Sequence, residues 1–419
     1  MKKIHAAVCA LASVAILYPS GYQVIDQGSS NMGTAMAGAV TNANNDASAA
    51  FWNPSAAVFV EGKGRLEQGV AFIVPSFELK NSSGTHPAAA GGGPINGVDG
   101  GNGGNFAWVP SLFGTYKFDE KLWGTLAITA PYGLETEYSD GTNFIGRYHG
   151  IRSKLMTIDV NPSLAYKFSD EFSIAGGVSI QYIDAILTSH MAGDTWTEVS
   201  GDGYSVGFNL GATYQYAKGG RIGAAFRSQV NHKLHGTMLM PGNKLGRLEE
   251  QDISCDLTIP NSFVVGIYQR LGGSFSEFAV MLDYGWTNWK QFDELVIKGE
   301  DTTSVTQERW KNTSRLSFGI HYYPSWNENL TFRAGCAWDE SPISSPEFRT
   351  VRIPDNDRIW ASFGVGYTWN NIQFDLAYTY LMFDDSFMNN TSEAMTKGTV
   401  TGTYVGHAHI VGITVGLKF

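Results

Sequence analysis

Residues 403–419 read TYVGHAHIVGITVGLKF. In this stretch Val411, Ile413, Val415, Leu417 and Phe419 alternate with Gly412, Thr414, Gly416 and Lys418. Side chains on an extended strand point to opposite faces in turn, so the stretch presents one apolar row and one small or polar row. A strand that meets lipid on one side and a wet interior on the other has this composition, and a last strand ending on an aromatic carboxy-terminus matches the assembly signal of outer-membrane barrels. Amphipathic final strands also occur in soluble sheets, so the rest of the chain has to decide.

The same period recurs upstream. Ile372, Phe374, Leu376, Tyr378 and Tyr380 alternate with Gln373, Asp375, Ala377 and Thr379, and similar ladders run through Phe172, Ile174 and Val178, through Tyr204, Val206, Phe208 and Leu210, and through Leu316, Phe318 and Ile320. About fourteen such segments fit between residue 65 and the end, an even number as a single-chain bacterial barrel requires. Their connections alternate in length. Asp119-Glu120, Ser169-Asp170, Lys218-Gly219-Gly220, Gly272-Gly273 and Asn370-Asn371 are tight, whereas residues 81–105, 238–253, 339–356 and 385–402 are long. This order places both ends on the periplasmic side and is hard to obtain from a soluble sandwich. The expected fold is therefore all-β, a transmembrane antiparallel β-barrel of about 14 strands over residues 63–419. Its surroundings would be outer-membrane lipids, and its assembly would depend on the barrel assembly machinery.

Two segments precede the ladders. Lys2 and Lys3 followed by an apolar stretch over residues 4–17 read as a secretory signal peptide, assigned to residues 1–20, with removal either after Ala15 or nearer Ser20 and Gly21. Residues 21–62 are rich in Ala, Asn, Ser and Gly and carry no ladder; a hatch in the lumen and a disordered periplasmic tail both fit. Beyond the leader, no run reaches the ~18 apolar residues of an ordinary transmembrane helix.

Composition excludes several functions. A net charge of -10 without a basic run is unsuited to nucleic acid. No nucleophile elbow, helical metal-ligand pair or phosphate loop occurs, so neither an enzyme nor a cofactor or metal is expected. Cys255 and Cys336 both fall on expected lipid faces, far apart in strand order, and read as small apolar residues. Alternation puts Arg227, Arg315, Arg333 and His321 on the lumen face with Asp159 and Asp375. Such cations suit either a ligand carboxylate or a structural network of ion pairs.

Motifs then narrow the reading. Gly33-Thr34-Ala35-Met36-Ala37-Gly38, Asp46-Ala47-Ser48 and Asn53-Pro54-Ser55-Ala56 are joined downstream by Ala130-Pro131-Tyr132-Gly133-Leu134, Gly146-Arg147-Tyr148-His149, Tyr284-Gly285-Trp286 and Ile353-Pro354-Asp355-Asn356-Asp357-Arg358-Ile359-Trp360. In this order, over most of the mature chain, they resemble the FadL family of outer-membrane transporters for long-chain fatty acids and other hydrophobic compounds. Ser55 stands where the family usually has Ala.

The resemblance implies a fourteen-stranded barrel closed by the hatch, with ligand captured by outer loops and released sideways through a gap made by a kink in the third strand. Here the kink falls on Pro131, Tyr132 and Gly133, and a residue without an N–H close to one without a side chain does open a sheet locally. A plain strand end before the loop at Tyr138 is the other reading. The hatch turn at Asn53 and Pro54 is expected close to the kink. The resemblance also marks His190, before Met191-Ala192-Gly193-Asp194, as a ligand residue where fatty-acid transporters carry a permanent cation. His is charged only part of the time near neutral pH, which leaves neutral hydrocarbons or aromatics open as ligands. Arg147, Arg227, Arg315 and Arg333 complete the candidate substrate-binding set. The competing function is an outer-membrane adhesin or structural barrel whose long loops bind partners, followed by a hydrophilic porin.

Overall fold

The computed structural model describes residues 21–241, 248–300 and 303–419. Within these residues fourteen strands form one closed wall: β1 (Gly64–Gly84), β2 (Ala107–Lys117), β3 (Leu122–Thr129 and Gly133–Glu137), β4 (Arg152–Lys167), β5 (Phe172–Met191), β6 (Thr195–Ala217) and β7 (Gly220–Arg227 and Val230–Pro241), then β8 (Leu248–Ile259 and Ser262–Arg270), β9 (Phe278–Thr287 and Glu294–Gly299), β10 (Thr303–Gln307 and Thr313–Tyr322), β11 (Leu330–Asp339), β12 (Arg358–Trp369), β13 (Ile372–Phe383) and β14 (Val400–Lys418). Each strand runs antiparallel to the next, and β14 returns to pair with β1. Closure leaves no sheet edge along most of the wall, the upper part of the seam between β2 and β3 excepted, because an unpaired backbone group in hydrocarbon has no water to turn to.

The ladders point as their period dictates. Tyr204, Val206, Phe208 and Leu210 of β6 stand exposed on the outside, while Asn209 between them is buried on the lumen face. The β13 row Phe374, Leu376 and Tyr378 and the β14 row Val411, Ile413, Val415 and Leu417 are likewise exposed.

Two expectations are corrected. The long loop expected over residues 238–253 is mostly a hairpin, since β7 and β8 stay paired from Ile259↔Val230 out to Leu248↔Pro241. Its outward positions, such as Asp252 and Asp256, are polar, so this part of the ladder lacks the apolar row that marks a lipid-facing strand. Cys255 is not on the lipid face but buried inside the barrel. The interruption of β8 at Pro260 and Asn261 inserts a residue that shifts the alternation by one, and a one-residue shift moves a whole strand segment to the opposite face. Phe263 and Ile267 below the break point out, and Cys255, Leu257 and Ile259 above it point in. Cys336 is exposed, as expected.

Residues 21–60 fill the lumen on the side of the short turns. They hold two one-turn helices, α1 (Ser29–Met32) and α2 (Ala49–Trp52), and a 3-10 turn over Pro54–Phe59. Nearly all of this segment is buried, so the tail reading fails. Its small residues pass within backbone distance of the wall: a Cβ on Gly335 would collide with the carbonyl of Thr34. Polar groups fix it in place. Asp283 of β9 accepts from the N–H of Gly38 at 2.9 Å, Thr414 of β14 accepts from the N–H of Ser29 at 3.1 Å, and Arg221, next to a short turn, donates to the Asn42 carbonyl at 3.0 Å. Composition suggested disorder because it cannot show that a wall of matching glycines and acceptors will receive the segment.

Candidate functional site

The site begins where the wall is broken. β3 loses its pairing at residues 130–132, where Pro131 has no N–H to give. Below the break β2 and β3 pair from Lys117↔Trp123 to Leu112↔Ile128. Above it the upper piece of β3 pairs only with β4, from Gly133↔Met156 to Glu137↔Arg152, while β2 from Ser111 to Ala107 pairs only with β1. Across the seam, among the described residues, the ladder is replaced by one bridge near the top, between Gly104 and Thr136. Every residue from 130 to 136 is buried, so the strand has left the lipid face and turned inward.

The backbone groups released by the break find other partners. On one side Thr157 of β4 serves Tyr132: its hydroxyl accepts from the Tyr132 N–H at 2.9 Å and donates to the Tyr132 carbonyl at 2.8 Å. On the other side the amino-terminal segment acts as a short inner strand. The N–H of Val24 donates to the Pro131 carbonyl at 2.7 Å, the N–H of Gly133 donates to the Tyr22 carbonyl at 2.7 Å, and the Gln27 amide donates to the Ala130 carbonyl at 3.2 Å. These contacts come from Tyr22, Val24 and Gln27, not from the Asn53 and Pro54 turn expected there. Asn53 instead donates to Val40 and to the Ala212 carbonyl and Thr213 hydroxyl of β6. Ser55 adds a 2.7 Å bond to Thr213 that an Ala could not make.

Beside the break, on the side of the long loops, lies an apolar chamber whose open space, continuous with solvent, is about 740 Å³. Leu134 of the displaced β3 piece lines it, together with Leu155, Leu187, Leu234, Leu257 and Ile297 from the wall. Tyr22 and Phe292 also line it, and they belong to a cluster of rings with Tyr132, Trp289 and Trp310. Centroid separations of 4.7 Å for Tyr22 and Trp289, 5.0 Å for Trp289 and Trp310 and 6.1 Å for Tyr22 and Tyr132 are in the range of edge-to-face packing. Three charged residues break the apolar lining, Lys154, Glu308 and Arg352. Burial, reinforced by Glu393 nearby, pushes the Glu308 carboxyl up to about 8, so it is neutral at pH 7. Burial lowers Arg352 to about 10, which leaves it charged; it donates to Ser153 at 2.8 Å.

A second, more polar chamber of about 840 Å³ lies against the hatch. Arg227 and Arg315 line it with Asp283 and Asp339. Arg227 stacks over Phe51 at 4.1 Å and sits 3.7 Å from Asp159. Arg315 donates to the Ala35 carbonyl and to Ser317, each at 2.8 Å. Arg333 lies in neither chamber. It pairs with Asp375 at 2.7 Å and donates to Asn44 of the hatch at 2.8 Å, near the periplasmic mouth. Arg147 and His190 are brought together outside both chambers. Arg147 donates to Asp194 at 2.8 Å, Tyr148 donates to the same oxygen at 2.6 Å, and the His190 ring lies 3.7 Å from it. Arg147, donating to it, brings the Asp194 carboxyl down to about 2. Sequence reasoning thus put two of its five ligand candidates on a chamber, and missed Lys154, Arg352 and Glu308. Arg352 immediately precedes the Ile353-Pro354 motif, and that adjacency was the available signal.

A fourteen-stranded antiparallel barrel whose amino-terminal segment fills the lumen, with an apolar chamber beside it, defines an outer-membrane β-barrel of the transport class. The chain belongs to the outer-membrane transport protein family described as OMPP1/FadL/TodX, whose profile matches residues 9–419. It is 27% identical to a long-chain fatty acid transport protein of Escherichia coli O6:H1, with 87% of each chain covered, and 25% identical to a putative outer membrane protein of Neisseria meningitidis, with 97% and 96% covered. In fold it is similar to a Pseudomonas aeruginosa FadL homologue, with a TM-score of 0.87, 23% identity and 96% and 100% covered. It is also similar in fold to the Ralstonia pickettii toluene transporter TbuX, with a TM-score of 0.63, 17% identity and 89% and 94% covered. The protein is therefore an outer-membrane transporter of a family that carries hydrophobic small molecules, and not an enzyme.

Proposed function

We propose that this chain passes long-chain fatty acids or aromatic hydrocarbons from the outer loops into the apolar chamber and out sideways, between β2 and β3, into the membrane. The observation that carries the reading is that the chamber and the open seam share a wall element: Leu134 lines the chamber and belongs to the piece of β3 that β2 has released. Relatives named for fatty acids and for toluene mark the two ligand classes. Arg352 and Lys154 are the cations that the carboxylate of a fatty acid would meet in the chamber, whereas a neutral hydrocarbon would need only the apolar lining. His190 and Arg147 act instead as a clasp between the outer loop and the top of β5.

Energetics favour a lateral route. Passage straight through the hatch would put the ligand into the aqueous periplasm at a cost of about 0.8 kcal/mol per exposed methylene. It would also break the bonds that Asp283, Thr414 and Arg221 make to the hatch. A sideways exit delivers the ligand to hydrocarbon and leaves those bonds intact. The test is Pro131→Val with Gly133→Thr, which lets β3 pair continuously. Uptake of oleate and of toluene by cells lacking their own transporter should fall by roughly tenfold or more, an added barrier of at least about 1.4 kcal/mol, while the heat-modifiable gel mobility of the barrel stays normal. Undiminished uptake through a variant whose structure shows the seam closed would refute the lateral route.

A further inference from the structure

The last outer loop is held down by an acid on its underside. Residues 391–397 include a one-turn helix, α3 (Ala394–Lys397). Thr391, Ser392, Met395 and Thr396 are exposed, and Glu393 alone in this stretch is buried. Its carboxylate pairs with Lys397 of the same turn at 2.5 Å, accepts from the Thr306 hydroxyl at 3.1 Å and lies 3.7 Å from the His149 ring. Lys397 also donates to Thr306, at 2.8 Å. Thr306 lies two residues before Glu308 on a strand that runs inward from the outer side, so Glu393 stands on the outer side of the chamber lining.

A buried carboxylate is tolerated only when paired, and this one acts on a cation of the chamber. The carboxylates whose charges bear on Arg352 are those of Glu393 and Glu308. Glu308 is neutral at pH 7. Burial works against the charge of Glu393, yet His149 and Lys397 outweigh it and bring its carboxyl down to about 2, so Glu393 is the ionised one of the two. A fatty acid carboxylate that reached Arg352 would meet a carboxylate already acting there, and two like charges in a dry site repel. The outer face of the same turn suits the other half of such a ligand. Met395 is 65% exposed, and Ala88, Ala89 and Ala90 of the first outer loop are exposed beside the turn.

We propose that Glu393 is a built-in stand-in for the carboxylate of the ligand: an amphipathic acid arriving from outside displaces it, lifts the turn, and takes its place over Arg352 while the tail enters the chamber. This entry step presupposes the proposed passage of fatty acids and adds the group that selects an acid. Lys397 leaves with Glu393 as a neutral pair. His149 and Thr306 stay on the barrel as polar partners for the incoming carboxylate. A neutral hydrocarbon carries no group that competes for Arg352 and gains nothing by displacing Glu393.

The experiment titrates the whole barrel, purified from outer membrane, with oleate and with methyl oleate, which has the same tail and no charge. Glu393→Gln keeps the size of the side chain and the bond from Thr306 while removing the competing charge. Its affinity for oleate should rise roughly tenfold and that for methyl oleate should change by less than about twofold. On the unmodified protein, trypsin should cut after Lys397 at least roughly fivefold faster with saturating oleate than with methyl oleate, because cleavage follows the population of the lifted turn. Equal shifts for both ligands in the Gln variant, no shift for either, or cleavage at Lys397 indifferent to oleate would each overturn the proposal and leave the passage of fatty acids standing. An unmodified barrel that binds neither ligand overturns that passage and this entry step with it. If the Gln variant does not assemble, cleavage of the native protein decides alone.

Discussion

Two neighbouring seams of the barrel are built from similar residues and behave differently. Where β14 closes on β1, pairing runs from Arg65↔Lys418 to Lys80↔Thr403 and resumes at Ser83 and Gly84. Where β2 meets β3, it stops at Leu112↔Ile128. Proline alone does not explain the contrast, because Pro75 lies within the first seam opposite Ala408 and the ladder continues past it. Pairing between β1 and β2 ends at Ile73↔Ala107, so beyond that point the β2-facing edge of β1 has no strand partner to lose. At the second seam prolines stand on both bordering strands, Pro110 and Pro131, and a glycine follows. Above all, the amino-terminal segment is there to take up the freed backbone groups. A membrane wall can open only where something inside the barrel supplies the missing hydrogen bonds.

That comparison breaks most visibly if a proline is forced into the continuous seam. Val411 sits on the lipid face of β14, paired on both sides with Phe72 and Tyr378, and among the described residues none of the hatch hydrogen-bonds to its backbone. Val411→Pro should cost several kcal/mol, the penalty of an unpaired group in hydrocarbon. The expected outcome is loss of most of the folded band in unboiled samples of outer membrane. A normal folded yield would mean that the wall tolerates gaps without internal support, and the contrast between the seams would lose its explanation.

A milder pair of substitutions sharpens the point. Thr157→Val removes the buried hydroxyl that serves both the N–H and the carbonyl of Tyr132, leaving at least one of them short of a partner at a cost of about 1–3 kcal/mol. Thr401→Val in the closing seam removes a hydroxyl whose partner, Ser83, is exposed to water, and should change stability by less than about 0.5 kcal/mol. Guanidinium unfolding of the purified barrels, read by tryptophan fluorescence, should separate the two variants. Equal midpoints would show that the kink is held by the hatch alone.

Much of this could be read from the chain. The alternation of Tyr204, Val206, Phe208 and Leu210 gave the lipid face, and Pro131 with Gly133 marked the broken strand. What stayed hidden depended on contacts between residues distant in sequence. Cys255 changed faces because of an extra residue at the Pro260 break, which no local pattern reveals. The hatch became ordered only through partners such as Asp283 and Thr414, more than two hundred residues downstream. Arg333 looked like a ligand cation by its phase and proved to be paired with Asp375, since a face assignment says where a side chain points and not what it meets there. Arg352 and Glu308 reach the chamber on loop segments, where no period constrains the reading.

Glu308 gives the smallest expected effect and bears on why the chamber behind the open seam stays apolar. Burial raises its carboxyl to about 8, above the ordinary value near 4.5. The sign follows from linkage: the folded state holds a proton that the unfolded chain has released, so the stability tied to that proton is complete below about 4.5 and is lost as pH climbs through about 8. Ligand obeys the same rule. A hydrocarbon that fills the chamber displaces what solvation the carboxylate retains, so binding should be level from pH 6 to 7.5. Above about 8 it should weaken by up to roughly tenfold per pH unit, the limit for release of one proton. In Glu308→Gln, which keeps the size and loses the titration, toluene binding measured by fluorescence quenching of the nearby tryptophans should remain level up to pH 9.5. A fall in affinity of the same size in the Gln variant would assign the pH dependence to another group.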